Sequence, residues 1–156
     1  MEDQPPEVLM RGLLRAYYWM DESLQNGLQQ AGFRPRTRTQ TMILINISNG
    51  ITRAAELARV LGVSRQAIQQ QINELEQDEL VTQIPDPEDR RANRIVFSEK
   101  GSELINAALA SLRQAEQSLA IRIGYESVGQ LRRTLMADWG PAIGERRPPG
   151  RKRSVA

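Results

Sequence analysis

The strongest constraint on how this chain folds is a short steric pattern: Ala58, then Gly62, then Ile68. A small residue in one helix, glycine at the turn and a β-branched apolar residue in the next helix let two helices cross at close range, the signature of a helix-turn-helix. Arg53 to Leu61 reads as the first helix, with Ala54, Leu57, Ala58 and Leu61 inward and Thr52 as its expected N-cap. Gly62 supplies a turn where a side chain would be costly in a left-handed conformation. Val63 is expected to plug the angle between the helices. Ser64 is expected to cap the second, which buries Ile68, Ile72 and Leu75.

The second helix, spanning Ser64 to about Glu76, turns a different chemistry outward. Arg65, Gln66, Gln69, Gln70 and Asn73 fall opposite the apolar positions. Amide side chains donate and accept together, so they suit adenine edges in a major groove, while Arg65 in the first turn suits guanine or a phosphate. The bland alternative is a solvated face. Against it, the face holds no acid until Glu74, whereas Glu74, Glu76, Asp78 and Glu79 crowd the far end.

Two short extended runs follow, Leu80 to Ile84 and Arg94 to Phe97, separated by a turn-rich tip from Pro85 to Arg91. Arg90 and Arg91 are expected to project from this wing, where arginine can enter a narrow minor groove. Asp89, two residues before Arg91, is expected to orient its guanidinium; the alternative is a surface ion pair worth under about 1 kcal/mol.

Long amphipathic patterns flank this middle. On the N-terminal side Leu13, Tyr17, Met20, Leu24, Leu28 and Ala31 form one helical stripe, ended by Gly32 and Pro35. Thr37 and Gln40 then form a capping box for a helix through Ile43, Leu44 and Ile47. On the C-terminal side a stretch from Ser98 carries Ile105, Ala108, Leu112, Ala115 and Leu119. After Gly124 a last helix carries Val128, Leu131, Leu135 and Trp139, stopped by Gly140 and Pro141. A middle of about 50 residues cannot cover these stripes alone, so packing against a second copy of the chain is expected.

The predicted fold is mainly α with a small β-wing. Its expected parts are a dimerisation helix over 1–34, a winged helix-turn-helix over 35–101, dimerisation helices over 102–143 and a disordered basic tail over 144–156. In that tail five cations (Arg146, Arg147, Arg151, Lys152, Arg153) against Glu145 give +4, which leaves the body at −2 of a total of +2. The tail reads either as a solubilising terminus or as a source of sequence-independent phosphate attraction.

At 156 residues the chain fits one domain. It has neither cysteine nor histidine, which removes disulfides, thiolate metal sites, the commonest metal ligand and the usual general base. Lys100 and Lys152 are its only lysines, and its glycines are scattered singly, unlike a phosphate-binding loop. An enzyme, a metal site and a cofactor are therefore not expected. Nor is a membrane partner, because no run approaches the ~18 apolar residues of a membrane span, and the polar start MEDQPPEVLM does not resemble a signal peptide. A cytoplasmic location is expected.

ELARVLGVSRQAI, the DPEDRR tip and the closing IVFSEKG together resemble the winged helix-turn-helix of MarR-family regulators. The resemblance is continuous over about residues 52 to 101, and the Asp-x-Arg pair, here Asp89 and Arg91, is its most specific element. It implies a homodimer, built from terminal helices, that binds a pseudo-palindromic operator in double-stranded DNA. Many such proteins are repressors released by a small phenolic or anionic effector. Tyr17, Tyr18, Trp19 and Met42 are the candidates to line an effector pocket, with dimer or domain core as their alternative role. Two positions depart from the family pattern. Gln71 stands where an apolar residue usually faces the core, and Glu79 stands where glycine commonly ends the recognition helix. Two other functions fit the same helices: an architectural protein that coats DNA without preference, and a winged helix used as a protein-interaction module.

Overall fold

The computed structural model describes residues 8–144. The helices are α1 (Leu9–Gln30), α2 (Arg38–Ser48), α3 (Ala54–Leu61), α4 (Arg65–Gln77), α5 (Glu99–Ile123) and α6 (Tyr125–Met136), with strands β1 (Val81–Pro85) and β2 (Asn93–Phe97) between α4 and α5. The two strands pair antiparallel, from Val81 opposite Phe97 to Pro85 opposite Asn93. The basic tail beyond Gly144 lies outside the described residues.

Local chemistry sets most of the boundaries. At the start of α2, Thr37 accepts from the Gln40 backbone N–H at 3.2 Å while the Gln40 side chain accepts from the Thr37 N–H, completing the expected capping box. Ser64 caps α4 by accepting from Ala67 N–H at 3.1 Å, and Ser98 caps α5 by accepting from Gly101 N–H at 2.9 Å. Gly62 ends α3 with φ +68°, the left-handed conformation that the pattern required.

Three local expectations need correction. The first turn of α3 begins one residue later than expected: Arg53, not Thr52, is its N-cap, and it makes no side-chain capping bond. Thr52 instead uses its carbonyl to accept from Ile95 N–H at 2.8 Å, adding a third backbone segment beside β2. Val63 does not plug the interhelical angle. It is exposed, and the turn is closed by its N–H donating to the Ala58 carbonyl. At the C-terminus α6 stops at Met136, so Trp139 lies beyond the helix, its indole N–H donating to the Thr134 carbonyl at 2.9 Å.

The core gathers where α2, α3, α4, β1, β2 and the start of α5 meet. Ile43, Leu57, Ile68, Ile72, Leu75, Leu80, Ile95 and Leu104 are all fully buried there. Leu24 and Leu28 bring the C-terminal half of α1 onto the same cluster. Two glycines mark close approaches. A Cβ on Gly101 would sit 1.9 Å from the Leu80 carbonyl oxygen, so only glycine lets α5 start against the end of α4. A Cβ on Gly27 would sit 2.2 Å from Ser111 Oγ, where α1 crosses α5.

Candidate nucleic-acid interface

The large apolar residues of α4 all face inward. Ile68, Ile72 and Leu75 are sealed at 0% exposure, while Arg65, Gln66, Gln70 and Asn73 are exposed and Gln69 is half-buried. Gln69 Nε2 donates to Asn73 Oδ1 at 2.9 Å, one turn along, so two of the outward amides are mutually ordered before any ligand arrives. Ser64, at the entry of the helix, spends its hydroxyl oxygen on the cap.

The acids at the far end of α4 are engaged by the protein's own groups. Glu74 accepts from Gln40 Nε2 of α2 at 3.0 Å and from Gln70 Nε2 at 3.4 Å. Glu76 takes both the backbone N–H and the side-chain amide of Gln83 in β1, each at 2.9 Å. Asp78 pairs with the buried guanidinium of Arg36 and, at 3.5 Å, with Arg34. The Arg36 hydrogen bond, outweighing the cost of desolvation, holds the Asp78 carboxyl below the usual carboxylate range. Glu79 faces Lys100 at 3.5 Å. These contacts fix the helix to its surroundings, and the cations of Arg34, Arg36 and Lys100 offset the charge of Asp78 and Glu79. Position in sequence showed the acids but not their partners, which lie 4 to 44 residues away.

The two departures from the family pattern resolve differently. Glu79 takes φ +61°, the only positive φ among the described non-glycine residues, so the backbone keeps the glycine-like exit and the side chain bears the strain. Gln71 is half-buried, and its Oε1 is buried without a hydrogen-bond partner among the described residues.

In the wing, Arg90 and Arg91 are exposed at the tip, and among the described residues neither forms an ion pair. Asp89 does not orient the Arg91 guanidinium. Its Oδ1 accepts from the Arg91 backbone N–H at 3.0 Å, and its carbonyl accepts from Ala92 N–H, so it shapes the turn instead. The carboxylate that matters most at the tip is one the sequence did not single out. Asp86 is 6% exposed and accepts from Arg53 Nε at 2.6 Å and from Glu88 N–H at 2.9 Å. The Arg53 hydrogen bond first, and the Glu88 amide second, hold it below the usual carboxylate range, while Asp86 in turn raises the Arg53 guanidinium.

The four candidate effector-pocket residues do not converge. Tyr17 and Trp19 line an apolar cleft of about 550 Å³ with Leu13, Met20, Leu119 and Leu135. Tyr18 packs its ring 5.9 Å from that of Tyr17, with the Arg38 guanidinium 4.5 Å from its centre, but neither it nor Met42 lines that cleft. Burial is the main reason the Tyr17 phenol is raised above its ordinary pKa, and its OH has no hydrogen-bond partner. A smaller, separate apolar cavity of about 70 Å³ lies among Leu24, Leu28, Leu44, Leu104, Leu112 and the Arg36 side chain.

Comparison with known proteins agrees with this geometry. A MarR family model matches residues 35–92. Among solved structures, a transcriptional regulator from Thermotoga maritima is 27% identical with a TM-score of 0.60, over 81% of this chain and 87% of that one. A mutant MepR from S. aureus, bound to an oligodeoxyribonucleotide, is 20% identical with a TM-score of 0.56, over 83% and 94%. A MarR family protein from Mycobacterium tuberculosis in complex with salicylic acid is 22% identical with a TM-score of 0.62, over 86% and 97%. At those last two identities the likeness is one of fold. No curated protein sequence matches the chain. Residues 35–92 match the MarR family model, and the chain that carries them has the winged helix-turn-helix fold of the MarR regulators.

Proposed function

We propose that this protein is a transcription regulator that binds a pseudo-palindromic operator in double-stranded DNA as a homodimer. The observation that carries the reading is the outward face of α4: Arg65, Gln66, Gln70 and Asn73 exposed, Gln69 and Asn73 linked, and every acid beyond them engaged by the protein itself. Such a face matches base edges in the major groove. Arg90 and Arg91, unpaired at the wing tip, then reach the flanking minor groove.

Dimerisation is supported by apolar side chains that the chain leaves in water on its terminal helices, among them Leu9, Met10, Ile121, Leu131, Leu135 and Met136. On this reading residues 1–34 and 102–143 join two copies, and 35–101 form the DNA-binding lobe. Two recognition helices related by a two-fold axis enter successive major grooves, with half-site centres about 10 base pairs apart or slightly more. Repression follows if the operator overlaps a promoter. A small molecule seated between the long helices and the lobe would change affinity by favouring one separation of the two lobes. The M. tuberculosis relative holding salicylic acid supports that class of effector.

Gel-shift titration on the protein's own promoter region tests the reading. Arg91→Ala is expected to weaken binding severalfold, and Gln69→Ala to alter sequence preference. A protein that shifts no duplex, or variants indistinguishable from wild type, defeats it. A uniform footprint without a preferred palindrome would support the architectural alternative instead.

A further inference from the structure

We propose that Arg53 is the positioning residue of the wing, its clamp on Asp86 setting where Arg90 and Arg91 stand relative to the recognition helix. The proposal rests on the DNA-binding reading above and adds a residue that touches neither face assigned there.

Arg53 is the N-cap residue of α3 but does no side-chain capping. Its side chain reaches 33 positions along the sequence, where Nε donates to Asp86 Oδ2 at 2.6 Å and a terminal nitrogen lies 3.6 Å from Glu88. Asp86 sits at the root of the tip. Its second oxygen accepts from Glu88 N–H, and its own N–H donates to the Ala92 carbonyl at 2.9 Å, so Asp86 takes three of the bonds at the root of the tip. A two-stranded hairpin alone is marginally stable in water. This one is held to the start of α3 at two consecutive residues: Ile95 N–H bonds the Thr52 carbonyl, and Asp86 bonds the Arg53 side chain. The base of the hairpin is also fixed to α4 by Gln83 on Glu76 and by the buried Val81 and Ile95. The Arg53–Asp86 bond lies nearer the tip and ties that end of the wing to the start of α3. The guanidinium keeps the Asp86 carboxyl ionised well below neutral pH, so the clamp is charged wherever the protein works. Arg53 is 42% exposed at its side chain, so the competing role is a direct phosphate contact.

The test is a double-mutant cycle read by gel shift on the promoter duplex, with hydrogen exchange on the DNA-free protein beside it. Arg53→Gln is expected to weaken binding roughly three- to tenfold, the scale of losing one charged hydrogen bond that is partly open to solvent. On an Arg90→Ala/Arg91→Ala background the same change should add less than about a twofold loss, because the wing has already lost both of its contacts. Without DNA, the Asp86 and Ala92 amides should exchange about tenfold faster in Arg53→Gln while the α4 amides keep their rates. Asp86→Asn, which keeps the side-chain shape, should reproduce both effects. Additive losses in the cycle would make Arg53 a phosphate contact and overturn the proposal, as would unchanged wing exchange. Wild-type protein that shifts no duplex overturns the DNA-binding reading itself; the exchange rates then still decide whether Arg53 holds the wing.

Discussion

The central lobe and the terminal helices spend their apolar residues in opposite ways. All eight of the largest fully buried side chains lie between Ile43 and Leu104. The terminal helices bury Ala115, Ala120 and Val128 and cross where Gly27 meets Ser111, while Ile121 is 71% and Met136 83% exposed. The lobe closes its core within one chain; the arms leave large apolar side chains in water. On the dimer reading proposed above, the difference implies that folding and association are encoded in separate stretches of sequence, so substitutions in each should have separable consequences.

The largest effect should come from the lobe. Ile72→Ala deletes atoms from a site at 0% exposure and is expected to cost about 2–5 kcal/mol, seen as a lower denaturation midpoint with an unchanged slope. In the arms, Leu131→Asp with Leu135→Asp should leave helix content intact by circular dichroism and weaken self-association at least ~tenfold, read by light scattering on a sizing column. A dimer that survives the pair of aspartates breaks the comparison, because it would mean that those arms do not meet a second copy.

A middle-sized effect is expected at the seam between the two regions. Arg36, in the segment joining α1 to α2, pairs with Asp78 at the C-terminus of α4. Asp78 and Asp86 both have folded pKa values below the unfolded value of about 3.9, so their stabilising contribution is complete above that value and is lost as the pH falls through the lower, folded ones. Denaturation midpoints should therefore drop with acid below about pH 4, and Asp78→Asn should flatten part of that slope while lowering stability at pH 7. An acid limb unchanged in Asp78→Asn would remove the Arg36 pair from the account.

Most of the fold could be read in advance because its determinants are local. The Thr37–Gln40 box, the glycine at 62, the Ser64 and Ser98 caps and the apolar period of α4 each act within a few residues. What could not be read depends on pairs far apart in sequence: Arg53 with Asp86, Gln40 with Glu74, and Arg36 with Asp78. The misplaced details have the same origin. Asp89 was expected to hold a guanidinium two residues on, but an aspartate at a turn finds the nearby backbone N–H first, and the long-range ion pair went to Asp86. Val63 was expected inside, yet the turn closes through its amide and leaves the side chain in water.

The smallest effect should be a gain. Glu79 holds φ +61° where an L side chain costs roughly 1 kcal/mol, so Glu79→Gly should relieve strain. Glycine's larger unfolded-state freedom takes back part of that gain. The lost contact with Lys100 matters little, because both side chains are largely in water and such pairs contribute at most about 1 kcal/mol. The Glu79 carbonyl, which accepts from the Ser98 hydroxyl, is kept by any residue at this position. A net stabilisation of about 0.5 kcal/mol is therefore expected, a rise in Tm of roughly 1–3 °C for a domain of this size. The variant also sharpens the contrast between lobe and arms: unfolding of the lobe should shift while the self-association constant stays fixed. Were association to move with it, the end of the recognition helix would be coupled to the arms, and the separation between the two regions would be incomplete at this corner.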